Sequence, residues 1–260
     1  MTFRIDMAYL AVVGAVGLRC AVLTAMLPLF DQRSVPVIWR LVLAVAMALA
    51  VSPLVAQAID LESLQLGWSL LVGEAARSLL VGALLAFAVG LMFAAVRYAG
   101  QVVGMQIGFA IVNTIDPQNG LQISVLSQLY YLLAVLLFFA VDGHHTLLTA
   151  LVQSCHVLPL FGPISFDSGI WYLLRESSQV FRIGLKIAAP CVVVLLLVSA
   201  TMGVVVRTVP QLNVLVVGFP VKIAAGLLVI GLSLTFFRDV FLLLLGDLDV
   251  RLEELLIALL

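Results

Sequence analysis

Few side chains in this sequence could do chemistry, and their spacing restricts what that chemistry would be. His144 and His145 follow Asp142-Gly143 at the end of an apolar run, with His156 further on. Imidazole and carboxylate are metal ligands, but helical metal sites present ligands at i, i+3 or i+4, and adjacent residues face different ways. The pair therefore reads as an interfacial polar cap, and no metal is expected. Cys20, Cys155 and Cys191 are scattered in apolar surroundings without C-x-x-C spacing, as small buried hydrophobes would be. The sequence has no H-E-x-x-H, G-x-S-x-G, P-loop or dinucleotide fingerprint, so neither catalysis nor a cofactor is expected.

Charges embedded in apolar stretches say more. They are Arg19, Glu74, Arg77, Arg182, Lys186, Lys222 and the pair Arg238-Asp239. An unpaired charge at the bilayer centre costs about 2.5–3.5 kcal/mol or more, so each should face protein or water. Glu74, Arg77, Arg182, Lys186 and Asp239 are the expected buried charges. Glu74 and Arg77 are three apart and can pair on one helix face. Arg182 and Lys186 are four apart with no acid on that face. They need a partner helix, a carbonyl cluster or an aqueous cavity, although snorkelling near a helix end suits Arg182.

Small residues recur at helical spacing. Gly82, Ala86, Gly90 and Ala94 lie four apart, as do Gly100, Gly104 and Gly108. Each set makes a groove into which a neighbouring backbone can settle, either within one bundle or between subunits. Two polar motifs sit in apolar surroundings. One runs from Gly104 to Pro117; the other, Arg207 to Lys222, includes Pro210, Gln211, Asn213, Gly218 and Pro220. Irregular polar backbone at membrane depth survives only where protein buries it or where it lines a cavity, so both suggest a pore or a subunit seam. Within Phe109–Gln122 the large apolar side chains Phe109, Ile111, Ile115 and Leu121 alternate with the turn formers Asn113, Asp116, Pro117, Asn119 and Gly120. That mixture suits a loop filling a ring of apolar partners better than one facing water.

The elements that must position these residues follow from composition. Of 260 residues, 64% are hydrophobic and only 10% charged, against roughly 45–50% and about 25% in soluble domains. A soluble globule is excluded, and a net charge of −1 without a basic stripe excludes a nucleic-acid binder. Apolar runs at 7–30, 37–59, 66–96, 125–141, 180–206 and 214–245 meet or approach the roughly 20 residues a spanning helix needs. A shorter stretch, 98–112, continues the third run after a bend. Unbroken apolar runs contradict the alternation of a β-barrel. The chain is therefore expected to be an all-α polytopic membrane protein of helical hairpins with bent or broken helices, forming one domain over 1–260. Arginines are spread almost evenly over the connections, so the positive-inside rule selects no orientation. Arg97-x3-Gln101-x6-Gly108-Phe109 recurs as Arg207-x3-Gln211-x6-Gly218-Phe219, through either an old duplication or chance in a Val/Leu/Ala-rich alphabet.

At these motifs the sequence resembles the FliR family of flagellar export-gate proteins, whose relatives SpaR, YscT and HrcT serve virulence type III secretion. The resemblance rests on Gly100-Gln101, Gly104-x-Gln106-x-Gly108-Phe109, Asp116-Pro117, Asp142-Gly143-His144 with Ser154, Arg207-x-x-Pro210-Gln211-x-Asn213 and Gly218-Phe219-Pro220-x-Lys222. It implies a non-catalytic inner-membrane subunit of the flagellar basal body, built with FliP and FliQ into a helical export-gate assembly that passes unfolded flagellar proteins. It also implies that FlhB and FlhA complete the apparatus, and that the loop matching 108–124 helps close the pore. Gly-Phe-Pro and Gly-His lean towards the flagellar branch over a virulence gate. A small-solute secondary transporter is the rival from another class, and would use the buried charges and broken helices as its binding site.

Overall fold

The structure is a computed structural model describing residues 7–28, 36–57, 67–109, 124–161, 167–209 and 214–260. The helices are α1 (Met7–Met26), α2 (Val37–Ala56), α3 (Trp68–Ile107), α4 (Val125–Ala140), α5 (Gly143–Val157), α6 (Asp167–Thr208), α7 (Val214–Gly246) and α8 (Leu248–Ala258). No strand occurs among the described residues, as expected of backbone that must satisfy its own hydrogen bonds in lipid. Five segments are long and apolar enough to cross a membrane, and α4 with α5 forms a further, broken pair.

Helix lengths depart from the apolar runs in two places. The bend expected before Tyr98 is absent: α3 continues unbroken for 40 residues. Arg97 is a good helix former, and its guanidinium lies over the Tyr131 ring, 4.1 Å from the centroid, in a cation–π contact. α6 begins at Asp167 rather than near Val180 and runs for 42 residues. Its polar first turns are held in place by pairing. Glu176 accepts a 2.6 Å ionic hydrogen bond from Arg251 of α8, and the Tyr172 hydroxyl donates to the Arg251 carbonyl at 3.0 Å. Pro53, Pro190 and Pro220 lie inside α2, α6 and α7.

The chain forms two compact units, changing from one to the other after Leu91, Val141, Glu176 and Gly246. The first holds α1, α2, α5, α8 and the N-terminal parts of α3 and α6. In it α1 packs on α2 and α5 on α8, around Val12, Val16, Leu23, Val81, Leu85, Leu151 and Leu255. The second holds α4, α7 and the remainder of α3 and α6. Its core is aromatic: the Phe93 ring lies 5.7–6.2 Å from those of Tyr131, Phe138 and Phe241. The Tyr130 hydroxyl reaches Cys191 Sγ at 3.8 Å, and Cys191 reaches Ser233 at 3.7 Å, linking α4, α6 and α7. Lipid is as apolar as leucine, so close packing and such polar contacts hold these helices together more than transfer out of solvent does.

The two Gly-Phe segments that match in sequence differ in local structure. Gly108 ends α3 with φ +102°, whereas Gly218 lies within α7. The internal similarity does not extend to local structure at its glycines.

Candidate assembly and gating site

The first unit buries a cluster of charge. On α1 the inward stripe Ala8, Val12, Ala15, Val16, Arg19, Cys20, Leu23 carries Arg19 into the core, where it is wholly inaccessible. Its Nη1 donates to the Ser154 carbonyl at 2.8 Å, to Ser154 Oγ at 3.0 Å and to Cys155 Sγ at 3.5 Å. Glu74 and Arg77 are also buried and pair at 3.5 Å. The carboxylate accepts from Ser78 Oγ at 3.1 Å and from the Phe161 N–H at 2.7 Å. Two guanidinium groups and a carboxylate are thus buried in this unit, Arg77 pairing with Glu74, and among the described residues Nε and Nη2 of both arginines have no hydrogen-bond partner. Arg19 is the member of this cluster that sequence reasoning left out of the buried set. The signal was present: position 19 falls on the same 3.6-residue stripe as Val12, Val16 and Leu23.

Three of the expected buried charges are exposed on the chain's own surface: Arg182, Lys186 and Asp239. On α6 the inward positions are Gly184, Ile187, Ala188, Cys191 and Leu195; at 100° per residue, 182 and 186 fall on the opposite side. On α7 the buried positions Ile230, Ser233, Phe237 and Phe241 likewise turn Asp239 outward. There it pairs with the adjacent Arg238 at 2.9 Å. Hydrophobic sequence around a charge told which helix holds it, but not which way that helix is rotated.

The glycine ridge Gly100-Gly104-Gly108 is filled from within the second unit, the first of the two packings its spacing allows. A Cβ on Gly100 would stand 2.5 Å from Ser127 Cα and 2.8 Å from the Leu126 carbonyl oxygen. One on Gly104 would meet the Ser124 hydroxyl. The close approach lets Ser127 Oγ donate to the Arg97 carbonyl at 2.8 Å. The other ridge divides: Gly82 lies against the Arg19 carbonyl of α1, while Gly90 has open space around it and Ala94 is exposed.

Gly108 ends α3 in a Schellman motif. The Phe109 N–H bonds to the Gly104 carbonyl at 3.1 Å and the Gly108 N–H to that of Met105 at 3.1 Å. The Phe219 ring covers the space where a Gly108 Cβ would sit, with its nearest atom at 3.1 Å. Gly108→Ala is therefore expected to destabilise the chain by about 1–2 kcal/mol, read as a lower Tm of the protein in detergent. An unchanged Tm would show that this position does not require glycine.

Of the remaining candidates, Gly218 is buried, Pro220 is exposed within α7, and Lys222 is half-buried without a hydrogen-bond or ion-pair partner among the described residues. Arg207 is exposed in the last turn of α6, where a cation suits the helix dipole. Phe109 is half-buried. Ile111, Asn113, Ile115, Asp116, Pro117, Asn119, Gly120, Pro210, Gln211 and Asn213 lie outside the described residues. His144 and His145, expected to face different ways, have ring centroids only 4.2 Å apart. They open α5, and Asp142 stands before them with left-handed backbone at φ 56°.

Comparison with known proteins agrees with this architecture. Residues 10–248 match the family described as Bacterial export proteins, family 1. The chain is 33% identical over 211 residues to the flagellar biosynthetic protein FliR of Escherichia coli (strain K12), covering 81% of this chain and 79% of that protein. It is 35% identical over 236 residues to the FliR of Bacillus subtilis (strain 168), covering 87% and 88%. To that of Pectobacterium carotovorum subsp. carotovorum it is 31% identical over 217 residues, covering 83% and 81%. The five segments long and apolar enough to cross a membrane fit a multi-pass membrane protein. The chain belongs to the FliR family of bacterial export proteins, multi-pass inner-membrane components of the flagellar export apparatus.

Proposed function

We propose that this chain joins FliP and FliQ in the wall of the flagellar export pore, with FlhB- and FlhA-like proteins completing the apparatus and unfolded flagellar proteins as passengers. In this reading residues 1–260 act as one gate domain. The observation that carries it is the covering that α6 lacks. Its apolar window is only 11% buried within the chain, and that of the segment Val216–Ala258 only 22%. At 1.5 Å per residue, α6 is about 63 Å long, twice the roughly 30 Å of a hydrocarbon core. Lipid cannot cover all of that length, and Arg182 and Lys186 on its outer side are costly to leave in lipid. Neighbouring protein helices supply both cover and polar partners. On this reading a FliR-like subunit co-purifies with partner membrane proteins in a fixed ratio. A chain that purifies alone from cells containing those partners, with full stability, removes the proposal.

The segment from Phe109 through Ile111, Asn113, Ile115, Asp116, Pro117 and Asn119 to Gly120 is the proposed closing loop. Its support is the mixture of large apolar and turn-forming residues, together with the sharp exit from α3 at Gly108. Deleting 113–120 is expected to leave the complex assembled but leaky to small ions, measured as conductance or salt sensitivity. An assembled deletion complex that stays tight places closure elsewhere.

A further inference from the structure

We propose that Asp142, His144 and His145 form a binding site for a divalent transition-metal ion of the zinc class, at the turn that opens α5. Their potential ligand atoms all lie within 4.8 Å of one another. Asp142 Oδ1 stands 3.9 Å from His144 Nε2 and 3.7 Å from His145 Nδ1. Donors on a tetrahedral zinc ion at 2.0–2.1 Å are about 3.3–3.5 Å apart. The two carboxylate–imidazole pairs need to close by only a few tenths of an ångström and the two nitrogens lie within 4.8 Å of each other, and the side chains of Asp142 and His145 are mostly exposed and able to rotate inward.

The backbone explains why side chains that should diverge come together. Asp142 occupies the N-cap position of α5 but makes no side-chain capping bond, although capping is what an aspartate ordinarily does there. Its left-handed conformation instead directs the carboxylate towards both rings. His145 is three residues on, on the same side of the first turn. The His144 ring is tilted by 37° against that of His145 with centroids 4.2 Å apart, and one nitrogen of each lies within 4.8 Å of the other. Two nitrogens and one carboxylate oxygen suit Zn2+, Co2+ or Ni2+, whereas Mg2+ and Ca2+ prefer oxygen alone. Three protein ligands with solvent nearby leave a fourth position for water. An ion there would tie the first turn of α5 to the residue that precedes it. This goes beyond the export reading and does not depend on it.

The test is calorimetric titration of the full-length chain, purified in detergent without a polyhistidine tag, with ZnCl2. Saturable binding of one ion per chain is expected, weakened tenfold or more by His145→Ala and by Asp142→Asn. His156→Ala, which changes the histidine outside the cluster, is expected to bind as the parent does. The two cluster substitutions fall on exposed side chains, so the folded state is retained and can be checked by Tm. Absence of stoichiometric binding, binding that either cluster substitution leaves unchanged, or an equal loss in His156→Ala overturns the site.

Discussion

Glu74→Gln is expected to destabilise the first unit by about 3–5 kcal/mol, the penalty for removing one partner of a buried ion pair. The substitution keeps the side chain's volume but leaves one acceptor oxygen, so of the Ser78 hydroxyl on Oε1 and the Phe161 N–H on Oε2 one loses its acceptor. It also removes the negative charge that Arg77 pairs with, in a unit that buries Arg19 as well. Among the described residues Arg19 is held by the Ser154 and Cys155 acceptors. A loss of that size is a large fraction of the roughly 5–15 kcal/mol that holds an ordinary domain folded. Thermal unfolding of the chain in detergent reads it directly. Adding Arg77→Met to the glutamine variant should recover part of the loss, because it removes one of the cations left unbalanced. A glutamine variant melting with the parent would mean that the carboxylate does not carry the charge balance.

Gly100→Leu is expected to be comparably severe, for a steric reason. The obstacles to its first carbon are backbone atoms of Leu126 and Ser127, which cannot rotate away. Accommodation requires α4 to move, which breaks the Ser127–Arg97 bond. Overpacking costs about 1–3 kcal/mol, and more where backbone must shift. At Gly104 the obstacle is the Ser124 hydroxyl, which can turn, so substitution there is milder. Gly90→Leu is the control, since that position faces open space. The amount of folded chain in membranes, with motility alongside, separates the cases: Gly100→Leu loses both. A Gly100→Leu variant that accumulates normally would show that α3 and α4 do not approach this closely.

The long helices α1–α4, α6 and α7 were legible in the sequence, because lipid leaves a spanning backbone few alternatives and long apolar runs announce that choice, whereas α5 and α8 lie outside those runs. Helix ends were less legible. The N-terminal turns of α6 begin with polar residues, and they are anchored by contacts of Tyr172 and Glu176 with Arg251 of α8, from the far end of the chain. The motifs Gly104-x-Gln106-x-Gly108-Phe109 and Gly218-Phe219-Pro220-x-Lys222 identified the family, since identity is carried by residue type and order. Rotation of each helix was decided by tertiary packing alone. Sequence showed Arg19, Arg182, Lys186 and Asp239 all within apolar runs. Packing turned Arg19 to Ser154 in the core and the other three outward. Tertiary structure also decided that the first turn of α4 fills the Gly100–Gly104 groove, and that one turn gathers Asp142, His144 and His145. An apolar pattern specifies that a face is buried; which neighbour buries it depends on contacts between residues distant in the chain.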